Sequence, residues 1–130
     1  MILADTHVVV WLAFDPTRIS IKAKAAIDEA RQKGEGLAIS AISLLELTTL
    51  CSKGRIRLDI SFESFLSDVE RQFVVLPMNG RVCVQSLSLP AAYPKDPADR
   101  IIGATALVEG LSLLTADREI RSARALPTIW

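Results

Sequence analysis

Ile2-Leu3-Ala4-Asp5-Thr6-His7, continuing into the apolar run Val8 to Phe14, is the stretch that decides the fold class. A short apolar segment, a polar step and a second apolar segment read as a buried strand entering a helix, the first βα unit of an α/β domain. Ligands of open parallel sheets bind beyond the carboxyl ends of the strands, so Asp5 stands where sites form. Local structure offers it another role, because Asp5 or Thr6 at this point also suits the N-cap of the following helix. Taken alone, the stretch leaves both roles open.

Outward from this unit, strand and helix signals alternate to the end of the chain. Asp15-Pro16 breaks the first helix, and Ser20 to Lys33 reads as an amphipathic helix with Ala23, Ala26, Ile27 and Ala30 on one face, stopped by Gly34. Leu37-Ala38-Ile39 is a second strand, followed by a helix over Ala41 to Ser52 that ends near Gly54. Ser61 caps the next helix, whose Phe62, Phe65, Leu66 and Val69 follow helical spacing. Phe73 to Leu76 is a β-rich run halted by Pro77, and Asn79 caps a short helix carrying Val82, Cys83 and Leu87. After a turn-rich stretch through Pro90, Pro94 and Pro97, a strongly marked helix runs to Glu109 with Ile101, Ala104, Thr105 and Val108 on one stripe and Gly110 as its stop. Leu111 to Thr115 is a fourth strand, Asp117 to Ala123 a short helix and Thr128-Ile129-Trp130 a last strand. The alternation predicts a mostly parallel sheet of about five strands covered by helices on both faces. No repeat or linker divides the 130 residues, so a single domain spanning 1–130 is expected.

Composition removes several classes of function. Fifteen basic and fifteen acidic residues balance, so any nucleic-acid partner is met by a local patch and not by the field of the whole molecule. The longest apolar run falls well short of the roughly 20 residues that cross a bilayer. Cys51 and Cys83 lie far apart in apolar surroundings, lack metal-ligand spacing and follow no secretory signal; they read as reduced core thiols of a cytoplasmic protein.

Three further acids join Asp5. Glu46 is flanked at i−4 and i+4 by Ile42 and Leu50, and a carboxylate on an apolar face is costly unless it is paired, hydrogen-bonded or bound to a metal. Ser43-x-x-Glu46 also fits a capping box if the helix begins a turn later. Asp96-Pro97-Ala98-Asp99 places one acid at an N-cap and another where it favours the helix dipole. Asp117 follows the apolar run Leu113-Leu114, where it too suits a helix cap. Capping explains each acid separately but not their coincidence near strand ends and helix starts. Gathered together, like-charged carboxylates disfavour one another's ionisation, and a divalent cation removes that penalty. An oxygen-only donor set selects Mg²⁺ or Mn²⁺ before Zn²⁺, and such ions support in-line hydrolysis of phosphodiesters. His7, the only histidine, reads as a packed neighbour of these acids.

The chain resembles the PIN-domain family, and within it the VapC-type toxin ribonucleases. The resemblance is carried by Leu3-Ala4-Asp5-Thr6-His7 with Trp11-Leu12, by Ser40-Ala41-Ile42-Ser43-Leu44-Leu45-Glu46-Leu47, by Asp96-Pro97-Ala98-Asp99-Arg100-Ile101-Ile102 with Ala104, and by Leu114-Thr115-Ala116-Asp117. It implies a three-layer α/β/α sandwich in which Asp5, Glu46, Asp99 and Asp117 bind Mg²⁺ or Mn²⁺ and direct an activated water onto RNA, with Thr6 and Thr115 supporting them. It further implies a homodimer and a cognate antitoxin. Ala98 departs from the pattern, since relatives often carry an aromatic residue there. Asp96 competes with Asp99 as a ligand, and its capping position favours Asp99.

Two other readings place the same acids differently. A phosphatase-type hydrolase would use Asp5 as nucleophile, but Asp5-Thr6-His7 lacks the second aspartate of the usual Asp-x-Asp. A non-catalytic receiver-like or scaffold domain with an acidic metal pocket leaves Glu46 unexplained. The basic cluster Lys53-Gly54-Arg55-Ile56-Arg57 has the chemistry to hold phosphates and equally reads as a solvated loop. Lys22, Lys24, Arg31 and Lys33 form a second basic group, in which Lys24 with Asp28 and Glu29 with Lys33 are spaced as surface helix pairs.

Overall fold

Five short strands form one wholly parallel sheet in the computed structural model, which describes residues 1–130. They are β1 (Ile2–Ala4), β2 (Leu37–Ser40), β3 (Val74–Leu76), β4 (Leu113–Leu114) and β5 (Thr128–Ile129), in the order β3-β2-β1-β4-β5. Leu3 stands opposite Ala38 on one side and Leu113 on the other, which puts β1 at the centre. Successive side chains of a strand point to opposite faces, and the core divides accordingly. Ala4, Leu37, Ile39 and Leu114 join one cluster of buried residues, whereas Leu3, Ala38 and Leu113 join another.

Seven helices complete the layers: α1 (Thr6–Phe14), α2 (Ile21–Gln32), α3 (Ala41–Ser52), α4 (Phe62–Gln72), α5 (Gly80–Ser86), α6 (Pro97–Glu109) and α7 (Arg118–Ala123). Val8 and Val9 of α1, Ala23 and Ile27 of α2, Leu47 and Cys51 of α3, and Phe65 and Val69 of α4 fill the first cluster. Ile102 and Ala106 of α6 with Ile120 of α7 fill the second, together with Tyr93. Helices therefore cover both faces, giving the three-layer α/β/α sandwich expected. No helix is long and apolar enough to cross a membrane.

The predicted caps form. Ser20, Ser61 and Asn79 each accept a backbone N–H three residues on, Asp96 caps α6 with Pro97 at its first position, and Gly110 ends it at φ 67°. The differences are local. β3, β4 and β5 are shorter than the runs expected for them, β2 extends one residue further to Ser40, and a 3₁₀ turn over Pro16–Arg18 follows α1. In α6 the residues 102–106 are all buried while Ile101 and Val108 are only half-buried, because the helix is enclosed by α5 and α3 as well as the sheet. Cys51 is a core thiol as expected, but Cys83 is exposed. The seven-residue α5 buries only Val82, and the next residue is rotated about 100° away from that face. Glu29 and Lys33 pair at 2.8 Å, whereas Lys24 and Asp28 form no ion pair.

Candidate active site

Two threonine hydroxyls organise the carboxyl edge of the sheet. Asp5 is buried at the end of β1, and it fills the capping role its sequence left open. Its Oδ1 accepts the Thr6 N–H at 2.8 Å, capping α1, while its Oδ2 accepts the Thr115 hydroxyl at 2.8 Å. The Thr115 oxygen in turn accepts the Asp117 N–H at 3.1 Å. On the other side of Asp5, the Thr6 hydroxyl donates to Glu46 Oε1 at 2.5 Å. Since that hydroxyl has one proton, the contact of 2.9 Å between Thr6 Oγ1 and Ser43 Oγ is a bond donated by Ser43. A continuous path thus runs Glu46, Thr6, Asp5, Thr115, Asp117.

Helix geometry explains the α3 end of this path. Ser40 caps α3, its Oγ 3.3 Å from the Ile42 N–H, so Ser43 and Glu46 lie inside the helix and three residues apart. That spacing puts both on one face, toward Thr6, and the capping-box alternative does not hold. Asp117 also caps, accepting the N–H groups of Glu119 and Ile120 at 2.9 and 3.1 Å. Asp96 accepts the Ala98 N–H at 3.1 Å, which leaves Asp99 in the first turn of α6. The Asp99 carboxylate accepts no hydrogen bond; only its backbone carbonyl is engaged, by the Tyr93 hydroxyl at 3.0 Å.

A cavity of about 470 Å³ brings Asp5, Thr6, Glu46, Asp96 and Asp99 to one surface, with His7, Lys53 and Arg55 also in its wall. Asp117 lies outside that wall, although its charge is felt at Asp99 and at His7. Burial raises the Asp99 carboxyl to about 7, with further upward pressure from Asp5, Asp96, Asp117 and Glu46. Glu46 is also raised, mainly by burial and then by Asp5 and Asp96, against the opposing bond from Thr6. No lysine or arginine forms an ion pair with any of these acids.

His7 is the nearest basic group, its Nδ1 3.6 Å from Asp5 Oδ2. Burial lowers its pKa more than Asp5 and Asp117 raise it. Nε2 accepts the Ala116 N–H at 3.0 Å, so the neutral ring carries its proton on Nδ1, facing Asp5. The ring also packs on Trp11, 4.8 Å between centroids, which makes His7 the packed neighbour expected.

The donor set suits a hard divalent cation in kind: carboxylate oxygens, mutually repelling and without a cationic partner. As the side chains stand, however, no three His, Cys, Asp or Glu residues are gathered closely enough to hold one ion. Threonine donors hold Asp5 and Glu46 in this spread arrangement, backbone N–H groups hold Asp96 and Asp117, and the Asp99 carboxylate is the one with no bond to hold it.

Two contributors escape a reading of the sequence for acids. Ser43 was legible only as a cap, although its spacing from Glu46 carried the signal that both face the same way. Tyr93, the single tyrosine, is buried and supports the first turn of α6 through the Asp99 carbonyl. A side chain at Gly103 would collide with the Tyr93 ring and hydroxyl, so Gly103 is the space into which that support fits. Arg100 fastens the loop before α6 by donating to the carbonyls of Ser86, Leu89 and Tyr93 at 3.3–3.4 Å.

A family model, the PIN domain, matches residues 2–126. Ribonuclease VapC22 of Mycobacterium tuberculosis is 38% identical over 131 residues, covering 99% of this chain and 98% of its own. Among solved structures, VapBC2 from Rickettsia felis bound to a promoter DNA fragment superposes with a TM-score of 0.75 at 18% identity, covering 98% of this chain and 97% of that one. VapBC-1 from nontypeable Haemophilus influenzae gives 0.71 at 18% identity, with 98% and 96% covered. At such identities the structural likeness speaks for the fold alone, but the family model and the full-length relative speak for descent. The chain belongs to the PIN-domain family.

Proposed function

We propose that this protein is a divalent-metal-dependent endoribonuclease acting as the toxin of a toxin–antitoxin pair. The observation that carries the reading is Asp99: a half-buried carboxyl raised to about 7 among four other acids, with no lysine or arginine paired to any of them. A site whose acids disfavour one another's ionisation, with no basic side chain to relieve them, is poised for a cation. Asp5, Glu46, Asp99 and Asp117 would hold Mg²⁺ or Mn²⁺. When bound, such an ion lowers the pKa of a water and neutralises phosphoryl charge, the two requirements of in-line phosphodiester hydrolysis. Thr6 and Thr115 orient Asp5 and Glu46, and His7 packs beside Asp5 with its Nδ1 at 3.6 Å, beyond hydrogen-bond distance, without serving as a base.

The relative named as a ribonuclease supports RNA as substrate, and the neighbours described as VapBC complexes support a cognate antitoxin as partner. A homodimer and a cytoplasmic setting complete the proposal as family expectations. The non-catalytic receiver-like reading and the Asp5 nucleophile reading both leave the tethering of Glu46 to Thr6 without a purpose.

Incubation of the purified protein with single-stranded RNA tests the proposal. Cleavage is expected with Mg²⁺ or Mn²⁺ and is abolished by chelation; cutting that survives chelation contradicts it. Induced expression is expected to arrest growth, with rescue by a neighbouring antitoxin gene. Metal-dependent cleavage without arrest would remove the toxin role while keeping the enzyme.

A further inference from the structure

Lys53 and Arg55 share the acid-lined cavity with Asp5, Glu46, Asp96 and Asp99, yet neither forms an ion pair with any of them. Both side chains are exposed. Their placement is built and not incidental. Lys53 is the C-cap of α3, Gly54 takes the left-handed conformation at φ 70°, and Arg55 follows. The Arg55 N–H donates to the Leu50 carbonyl at 2.9 Å and the Gly54 N–H to the Cys51 carbonyl at 3.1 Å, the paired bonds of a Schellman motif. Ile56, buried in the core, anchors the turn from below. Two cations are thereby fixed in the wall of a pocket whose floor is acidic, with their charge unspent.

We infer that Lys53 and Arg55 are the phosphate-positioning residues of the substrate cleft: they hold backbone phosphates of a single-stranded RNA beside the acids. The inference rests on the nuclease reading above. A polyanion approaching this floor meets repulsion from the carboxylates, and groups that offset it must stand at the cavity itself, because the chain as a whole has no net charge. Backbone contacts of this kind fix a strand's position without reading its sequence. The cations of α2 serve as a contrast. Lys22 and Lys24 carry the same charge on an exposed helix that packs against β2 and β5, and they border no part of the acid cavity.

The test measures binding of a labelled, random-sequence single-stranded RNA by fluorescence anisotropy over a range of salt. Asp99→Asn is used as the background so that the strand stays intact. Adding Lys53→Gln and Arg55→Gln is expected to weaken binding at low salt about tenfold and to reduce the slope of log K against log salt by about 1.4, two contacts at about 0.7 each on a single strand. With Asp99 restored, the same pair of changes is expected to raise KM about tenfold while kcat moves less than about threefold. Lys22→Gln with Lys24→Gln, the charge-matched control, is expected to leave the slope unchanged. An unchanged slope in the Lys53/Arg55 variant, or an equal fall in the control, overturns the inference while metal-dependent cleavage still stands. A native protein that neither binds nor cuts RNA overturns the nuclease reading and the inference with it. Thermal melting of every variant alongside native separates lost contacts from lost fold.

Discussion

The acids at the strand ends and the acid at the head of α6 solve the same electrostatic problem in different ways. The carboxylates of Asp5 and Glu46 accept the hydroxyls of Thr115 and Thr6, and the Asp117 carboxylate accepts the N–H groups of Glu119 and Ile120. These bonds hold the three acids within a fixed frame, although burial still raises the Glu46 pKa against the opposing bond from Thr6. Asp99 has no such partner, and in the metal-free protein it takes up a proton with a pKa of about 7. The difference separates hydrogen-bonded acids from one without a hydrogen-bond partner. The strand ends set positions through backbone and hydroxyl geometry, while α6 presents one carboxylate without a hydrogen bond, the one proposed to meet a cation.

Breaking the tether is the strongest way to test that contrast. Thr6→Val removes the donor to Glu46 and the acceptor for Ser43, leaving both half-satisfied. It is expected to cost about 1–3 kcal/mol in chemical denaturation. Cleavage is expected to fall about 10–100-fold, the usual loss when the partner of a metal-binding side chain is deleted. Thr115→Val removes the donor to Asp5 Oδ2, but the Thr6 N–H still holds Oδ1. Its activity loss is therefore expected at the lower end, about tenfold. If Thr115→Val proves the more damaging of the two, the β4 side and not the α3 side governs the frame.

The support beneath Asp99 gives a smaller effect. Tyr93→Phe loses one hydroxyl bond to a carbonyl, expected to cost about 1 kcal/mol of stability with kcat nearly unchanged. Gly103→Ala brings a methyl group against the same ring, and overpacking of this kind costs about 1–3 kcal/mol.

The pH dependence of metal-free stability sharpens the contrast further. An acid whose folded pKa lies near 7 instead of its ordinary 3.8 makes the native state bind more protons than the unfolded chain between those values. Asp99 therefore lowers stability as pH rises from about 4 through 7, the opposite of a salt-bridged aspartate. Asp99→Asn is expected to raise Tm relative to native at pH 8 and to leave it nearly equal at pH 4, read as the difference between two melting curves. Mg²⁺ is expected to stabilise the native protein more at pH 8 than at pH 5. A Tm difference that is independent of pH would show that Asp99 is not the strained group.

Most of the architecture was legible because the chain punctuates itself. Asp96-Pro97 and Gly110 bound α6, Ser20, Ser61 and Asn79 open their helices, and short apolar runs alternate with them. The fold class followed from that alternation. Strand ends were less legible, since only two residues of the run from Leu111 to Thr115 enter the ladder. Cys83 was misread because a local apolar context does not say which way a two-turn helix faces. At the site, the acids were legible one by one, but caps and ligands use the same residue types at the same positions. What sequence spacing lacked was the long-range partner: Thr6 meets Glu46 across 40 residues and Thr115 meets Asp5 across 110. Those two contacts join Asp5, Glu46 and Asp117, each explicable separately, into one network and leave the Asp99 carboxylate outside it.

The central claim is that this network and Asp99 together form the metal-dependent catalytic centre. Asp5→Asn and Asp99→Asn test it most directly, since the amide keeps the shape of each side chain, and at Asp5 its oxygen still accepts the Thr6 N–H. Cleavage of single-stranded RNA in saturating Mn²⁺ is the readout, with circular dichroism confirming that each variant is folded. Each substitution is predicted to reduce the rate by more than about 100-fold, beyond the loss expected of a supporting threonine. Folded variants that still cut RNA at the native rate would contradict the account.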